Sequence, residues 1–401
     1  MSDLNYSIRE NIGKIDREFS LREELRGSRE PLVSTYEYNF QNDIKLSKEK
    51  RFELLDGIKK LKGMRQFRVS HCMNFLPKQG QRAEVELVKR GESYGFQGVD
   101  VCGSVWTCPV CNSRISSERR RELSQAVENS GTYTALITFT LSHAKQDLLA
   151  DLMEALRKAI NSTKSGRWYE SFLGDHGVVA SASSLEITLG QNGWHPHIHW
   201  LVFMDQKPDP EAIKAQLSAR FEKFIRKNGH YSSSIYGVDV RATRQDVSGY
   251  ISKWNVIKEL SNVQAKRGRG ESLTVWQLAQ LAVAGDQEAE RLWLEYAKAT
   301  YRKKALTWSR GAKELFGLQD LDDQEVAAMP EPEDAKHEPV HVVSFTMTEW
   351  HFVLDRGLIG EVLYRARIGG AEAVNALMYQ CRGAPLHEFQ EYSIQDDAGG
   401  L

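Results

Sequence analysis

Eleven histidines occur in the 401-residue chain, and three of them alternate within one short segment: His195, His197 and His199 in WHPHIHWLVF (194–203). In an extended chain, side chains at i, i+2 and i+4 leave the same face. The three imidazoles then point together, while Pro196, Ile198, Trp200 and Val202 point away to pack on helices. Imidazoles about 7 Å apart at Cα can converge on one metal ion. A further donor is expected from the neighbouring strand. GVVASASSLEITLG (177–190) has β character, and Gln191-Asn192-Gly193 between the two runs is a hairpin signal. A turn there sets residue 189 opposite 194 and Glu186 opposite His197. Glu186 would complete a His/His/Glu set, with His195 the alternative third donor. Mixed nitrogen and oxygen ligation suits Mn2+ or Mg2+ better than Zn2+. The bland alternative is a hydrogen-bonded polar cluster on a half-wet sheet.

A second constellation follows in RQDVSGYISKWNVIKEL (244–260), which reads as a helix. Asp246 and Tyr250 are four apart and share a face, and Lys253 is three beyond Tyr250. Gly249 leaves room for a bulky partner to approach. A tyrosine hydroxyl, with a pKa of about 10, is a poor nucleophile unless a cation assists it. A carboxylate one turn away can activate water. The ordinary alternative is a tyrosine in a core or interface.

The five cysteines are Cys72, Cys102, Cys108, Cys111 and Cys381. Cys108-Pro-Val-Cys111 has zinc-knuckle spacing, Cys102 lies just before it, and Cys72 offers a fourth thiolate with His71 as its substitute. Ligation by four thiolates, or by three thiolates and an imidazole, makes a closed, structural Zn2+ site. The competing reading is a redox CxxC, which lacks the βαβ context of thioredoxin-like chains. Cys381 stands apart as a core thiol. A helix follows the cluster, and Arg119, Arg120 and Arg121 near its start suit phosphate contacts or a solvated face.

These groups need elements to hold them. TYTALITFTLS (132–142) reads as a strand, 146–163 as a helix, and 177–190 and 194–203 as a hairpin. Residues 209–229 form a helix with Pro210 near its start and Gly229 at its stop, and 235–243 is a strand. The order β-α-β-β-α-β predicts an α+β chain: a ferredoxin-like or RRM-like split βαβ, an antiparallel sheet with helices on one face. A zinc-bound module and a helical C-terminal region accompany it. The expected division is a charged N-terminal region (1–65), the zinc module and basic helix (66–130) and the histidine-strand domain (131–260). A helical basic extension (261–319), an acidic linker (320–340) and a small C-terminal unit (341–401) follow.

Charge is uneven although the net is −1. Residues 244–313 carry 13 Lys/Arg against 7 Asp/Glu, and 314–337 carry 8 acidic residues and one Lys. The first suggests a polyanion-facing surface, the second a solvated linker. No run of 18 apolar residues predicts a membrane helix. MSDLNYSIRENIGKIDREF lacks the apolar stretch of a secretory signal, so the cytoplasm is the expected location.

Together, the HPHIH strand and the later Y-x-x-K helix resemble the HUH (His-hydrophobic-His) endonucleases, whose motif is matched by His197-Ile198-His199. More narrowly, the chain is similar to plasmid rolling-circle replication initiators of the single-tyrosine branch. TFTLSH (138–143) resembles that family's first motif, CGSVWTCPVC (102–111) its upstream cysteine cluster, and Asp246 with Tyr250 its carboxylate–tyrosine helix. Asp246 stands where the family often has Glu. The resemblance implies a metal-dependent nickase and ligase of single-stranded or hairpin origin DNA, with the nuclease metal on His197, His199 and Glu186. Tyr250 would become a 5′-phosphotyrosyl group and free a 3′-OH for a polymerase. Asp246 would activate water or aid strand transfer, and Lys253 would offset phosphate charge. A host helicase and polymerase are the implied partners. The alternatives are a transposase- or relaxase-type strand transferase, and a non-enzymatic zinc-dependent nucleic-acid-binding protein.

Overall fold

The computed structural model describes residues 46–76, 84–130, 133–230, 237–243, 273–332 and 334–382. The helix expected over 244–260 lies outside these residues. The strands are β1 (Glu84–Arg90), β2 (Ser93–Gln97), β3 (Tyr133–Phe139), β4 (Val178–Gly190), β5 (Gly193–Met204), β6 (Val238–Thr243), β7 (Leu306–Trp308) and β8 (Val340–Thr346). They form two antiparallel sheets, so the chain is α+β. Among the described residues no helix is long and apolar enough to cross a membrane. The chain divides into two compact units, one of residues 1–115, 280–290 and 323–401, the other of 116–279 and 291–322.

The first unit carries the sheet β2-β1-β8. Within the segment read as a zinc module, Val85 and Leu87 alternate inward and make β1 a regular strand. Phe96 of β2 and Phe345 of β8 pack on Trp350, with ring centroids 4.9 and 5.7 Å away. Trp350 lies in the helix Met347–Asp355, which Thr346 and Glu349 cap reciprocally. The expected acidic linker includes the helix Asp323–Ala328. Its acids face solvent, but Val326 and Ala327 are buried and hold the segment down.

The second unit carries the sheet β6-β3-β5-β4-β7. On one face lie the helices Leu149–Thr163 and Pro210–Lys227. The first buries Leu149, Leu152, Met153, Leu156 and Ile160. The second starts where Asp209 Oδ1 accepts from the Glu211 and Ala212 amides, both at 3.1 Å, and buries Ile213, Leu217, Phe221 and Ile225. Phe221 meets Phe139 at 5.1 Å. Trp200 is fully buried on this side, under the Lys164 ammonium at 4.1 Å.

The expectation of helices on one face alone needs correction. Leu136, Ala182, Leu201 and Phe203 share the histidine face further along the strands and are too apolar to stay wet. Leu123, Ala126 and Val127 of the helix Pro109–Ser130 cover them, with Ala312 and Phe316. The 261–319 extension also departs from a purely helical reading. Beyond the helices Val275–Val283 and Gln287–Thr300 it supplies β7, which pairs with β4 at Ala182↔Trp308 and Ser184↔Leu306.

Phe203 is fully buried and packs on Phe316 with ring centroids 4.5 Å apart. Phe203→Ala is expected to lower unfolding free energy by about 3–5 kcal/mol, because the cavity adds to the lost transfer term. Denaturant titration of the purified variant measures it.

Candidate nuclease site and cysteine cluster

The hairpin places the histidines. Gly190 pairs with Gly193, Leu189 with Trp194, Glu186 with His197 and Ser184 with His199. Gly193 has φ +87°, and a Cβ there would stand 3.0 Å from Lys145 Cα. The turn therefore needs glycine, both for its backbone and for the loop lying against it. With this register His195, His197, His199, Glu186 and Ser184 share one face.

Glu186 lies between two rings and is itself buried. Its Oε2 is 2.7 Å from His199 Nε2 and 4.0 Å from His197 Nδ1. The other nitrogen of His199 lies 3.0 Å from Thr138 Oγ1. His199 can thus donate to the carboxylate while accepting from the threonine. His197 Nδ1 is buried and has no hydrogen-bond partner among the described residues. The orphaned nitrogen faces the Glu186 carboxylate, while among the described residues only the four cysteines bring three or more donor atoms close enough to share one ion. Burial lowers the His197 pKa to about 3, so its ring is neutral and keeps a lone pair. His195 is lowered to about 4, by burial first and then by His143. Its Nε2 meets Thr140 Oγ1 at 2.9 Å.

Three residues extend the cluster without having been assigned a role from sequence. Thr138, Thr140 and His143 all lie in TFTLSH. The two threonines alternate along β3 and its extension, as the histidines do along β5, and this period was the available signal. His143 donates from Nδ1 to the Asn192 carbonyl at 2.9 Å, and its ring centroid is 4.5 Å from that of His195. It ties the loop after β3 to the hairpin turn.

Tyr250, Asp246 and Lys253 lie outside the described residues, as do Tyr231 and Tyr236. The arginines can be placed. Arg119 is buried, ion-paired with Glu122 and bonded to the Leu321 carbonyl at 2.9 Å. Arg121 pairs with Glu118 at 2.5 Å, and Arg120 is partly buried. The expected phosphate contacts are thus corrected for Arg119, whose guanidinium serves the chain's own carboxylate and carbonyl.

In the first unit Cys72, Cys102, Cys108 and Cys111 are buried and their sulfurs converge. Cys72 Sγ is 3.6 Å from Cys108 Sγ and 3.7 Å from Cys111 Sγ, and Cys102 Sγ is 3.6 Å from Cys111 Sγ. A tetrahedral ion with Zn–S bonds of about 2.3 Å needs sulfurs roughly 3.8 Å apart, and a disulfide about 2.05 Å. The quartet therefore suits a metal ion such as zinc. Backbone amides support it: Cys111 N points to Cys108 Sγ at 3.4 Å and Ser104 N to Cys102 Sγ at 3.5 Å. His71 is exposed, so Cys72 is the fourth donor of the cluster. Burial pushes the Cys108 thiol well up, a cost that a bound cation would offset. Met73, with φ +67°, turns the chain after Cys72, and its carbonyl accepts from Trp350 Nε1 at 2.8 Å. Lys59 Nζ donates to the Cys72 carbonyl at 2.8 Å.

The chain is 27% identical over 339 residues to "Protein rep" of Streptomyces lividans, in a match covering 65% of this chain and 74% of that one. A shorter match, 27% over 152 residues, is to "Neomycin resistance protein" of Streptomyces cyanogenus; it covers 31% of this chain and about a third of that protein. No solved structure matches significantly. A family model described as replication protein matches residues 96–353, a span that takes in Cys102, Cys108, Cys111, the whole β4–β5 hairpin and Tyr250. Because that match covers well over half of the sequence, the chain belongs to the replication protein family.

Proposed function

We propose that this chain initiates rolling-circle replication of a plasmid by nicking and rejoining single-stranded origin DNA. The observation that carries the reading is Glu186 set between His197 and His199, with the His197 Nδ1 left for a cation, in a member of the replication protein family. The strand order β6-β3-β5-β4, with β3 and β4 both antiparallel to the β5 between them, supports the finer reading of a ferredoxin-like split βαβ with β7 added.

A divalent ion such as Mn2+ or Mg2+ on His197, His199 and Glu186 would polarise the scissile phosphate. To hold the ion, His199 would donate from Nδ1 to Thr138 Oγ1 and give its Nε2 lone pair to the metal in place of its present contact with Glu186. The Tyr250 oxygen bonds to phosphorus as the bond from phosphorus to the 3′ oxygen breaks. The products are a 5′-phosphotyrosyl chain and a free 3′-OH. At termination Asp246 takes a proton from the second nucleophile, and Lys253 offsets charge on the phosphate. Origin DNA, a host helicase and a host polymerase are the partners in this reading. Zn2+ at the cysteine quartet has no part in the chemistry and contributes to folding.

The decisive experiment incubates the protein with single-stranded origin DNA and Mn2+ and resolves SDS-stable adducts on a gel. Wild type forms the adduct and Tyr250→Phe, which loses only the hydroxyl, forms none. Asp246→Ala accumulates it. His197→Ala and His199→Ala each lose cleavage while retaining DNA binding. Adduct formation by Tyr250→Phe would transfer the nucleophile to another tyrosine. A wild-type protein that binds DNA without ever forming an adduct would favour the non-enzymatic zinc-dependent binder.

Cys108→Ser or Cys111→Ser is expected to remove bound zinc and lower the melting temperature. Elemental analysis of the purified variants checks this, and zinc unchanged in both would overturn the quartet as its site.

A further inference from the structure

Several arginines of the second unit are engaged with the chain's own acids. Arg119 pairs with Glu122, Arg121 with Glu118, Arg157 with Glu154 and Arg226 with Glu222. One basic segment differs. After the helix Gln287–Thr300 the chain passes through Tyr301-Arg302-Lys303-Lys304, all exposed, before entering β7. Arg310 is exposed just beyond β7. Among the described residues no carboxylate pairs with Lys304 or Arg310. The Arg302 guanidinium lies over the Tyr301 ring at 5.2 Å, and Arg302 has φ +57°. A bulky residue in that conformation holds its turn at some cost in strain.

The position of this segment matters as much as its charge. β7 is the outer strand of the sheet. Its Leu306 pairs with Ser184, and the Ala305 carbonyl accepts from the Leu185 amide at 3.1 Å. Lys304 is the next residue outward, so its Cα lies within roughly 10 Å of the Glu186 Cα. The basic run thus reaches the edge of β4 level with the backbone of Glu186. Edge strands often carry lysine to block pairing with other chains. That accounts for a lysine beside β7, but not for an exposed tyrosine under a guanidinium, nor for the coincidence with Glu186.

Resting on the reading of single-stranded DNA as substrate, we propose that Tyr301, Arg302, Lys304 and Arg310 form a track along the outer edge of β7 that holds the strand as it approaches Glu186. Arg302 and Lys304 stand at the Glu186 end of β7 and Arg310 at the other, so the cations contact phosphates spaced along the strand rather than adjacent ones. Tyr301, rigidified by Arg302, gives an unpaired base a face to stack on, which duplex DNA does not offer. The track sets affinity and direction of approach and takes no part in bond breaking.

The test measures binding of a fluorescent oligo(dT) by anisotropy over a salt series. The combined variant Arg302→Ala, Lys304→Ala, Arg310→Ala should bind roughly tenfold more weakly at low salt. Its plot of log K against log salt should be shallower by about 2, since each phosphate contact on a single strand contributes about 0.7. Tyr301→Ala should weaken binding with the slope unchanged. Arg226→Ala, which removes an exposed charge elsewhere, should alter neither quantity. All of the substituted residues are exposed, and circular dichroism is the check that the variants fold. A combined variant with wild-type affinity and slope overturns the track, as does a loss confined to duplex DNA. Failure of the nickase reading looks different: wild type then forms no covalent adduct, whatever the salt slopes show.

Discussion

β4 and β5 are paired from Val178↔Met204 down to Gly190↔Gly193, and the chemistry proposed here rests on the register of that ladder. Side chains alternate across a sheet, so a slip of one residue sends every one of them to the opposite face. Slipped by one, the hairpin would turn Glu186 away from His197 and carry Ala182 out of its apolar cluster. The two faces therefore police the same register. On one, Trp200 must stay under the helices. On the other, Leu201 and Phe203 must stay under Leu123 and Val127. The tight turn at Gln191-Asn192, possible because Gly193 adopts φ +87°, removes the remaining freedom.

The histidine face is a polar island bounded by apolar packing, and such an island is tolerated only where its groups find partners. Thr138 and Thr140 act in this way on His199 and His195. The result is a row of four rings, His143, His195, His197 and His199, with centroid spacings of 4.5, 4.0 and 6.1 Å. The wide gap falls beside Glu186, where a carboxylate stands between two rings. The first unit solves its problem differently: four buried sulfurs, backbone amides directed at two of them, and an aromatic indole that fixes the carbonyl next to Cys72.

Much of this was legible in the chain itself, because local chemistry declared it. The Asn-Gly turn and the period of two carried the β4–β5 register down to Glu186 opposite His197. Asp209-Pro210 and Gly229 bounded a helix now observed as Pro210–Lys227. Cys72 was legible as one of two candidates for the fourth donor, and the exposure of His71 leaves the thiol. What stayed hidden was long-range. Nothing local in LTW says that it will add an edge to β4, and VHVVSFT gives no sign that it pairs with β1 some 250 residues earlier. Arg119 reads as a surface cation in sequence because Glu122 and the Leu321 carbonyl become its neighbours only in the fold. The threonines of TFTLSH become hydrogen-bond partners of the histidines only because β3 lies beside β5.

The late arrival of β7 has a bearing on how the molecule is made. Thr307 and Ser183 meet across 124 residues of chain. During synthesis β3, β4, β5 and the helix Pro210–Lys227 leave the ribosome well before β7 does. Contacts of such sequence separation form slowly, since loop closure must precede any gain from pairing. Until residue 308 emerges, the outer edge of β4 presents unpaired amides and carbonyls, a template for a second nascent chain. β7 is only three residues long, but it closes an edge that a growing polypeptide would otherwise leave open beside its most polar face.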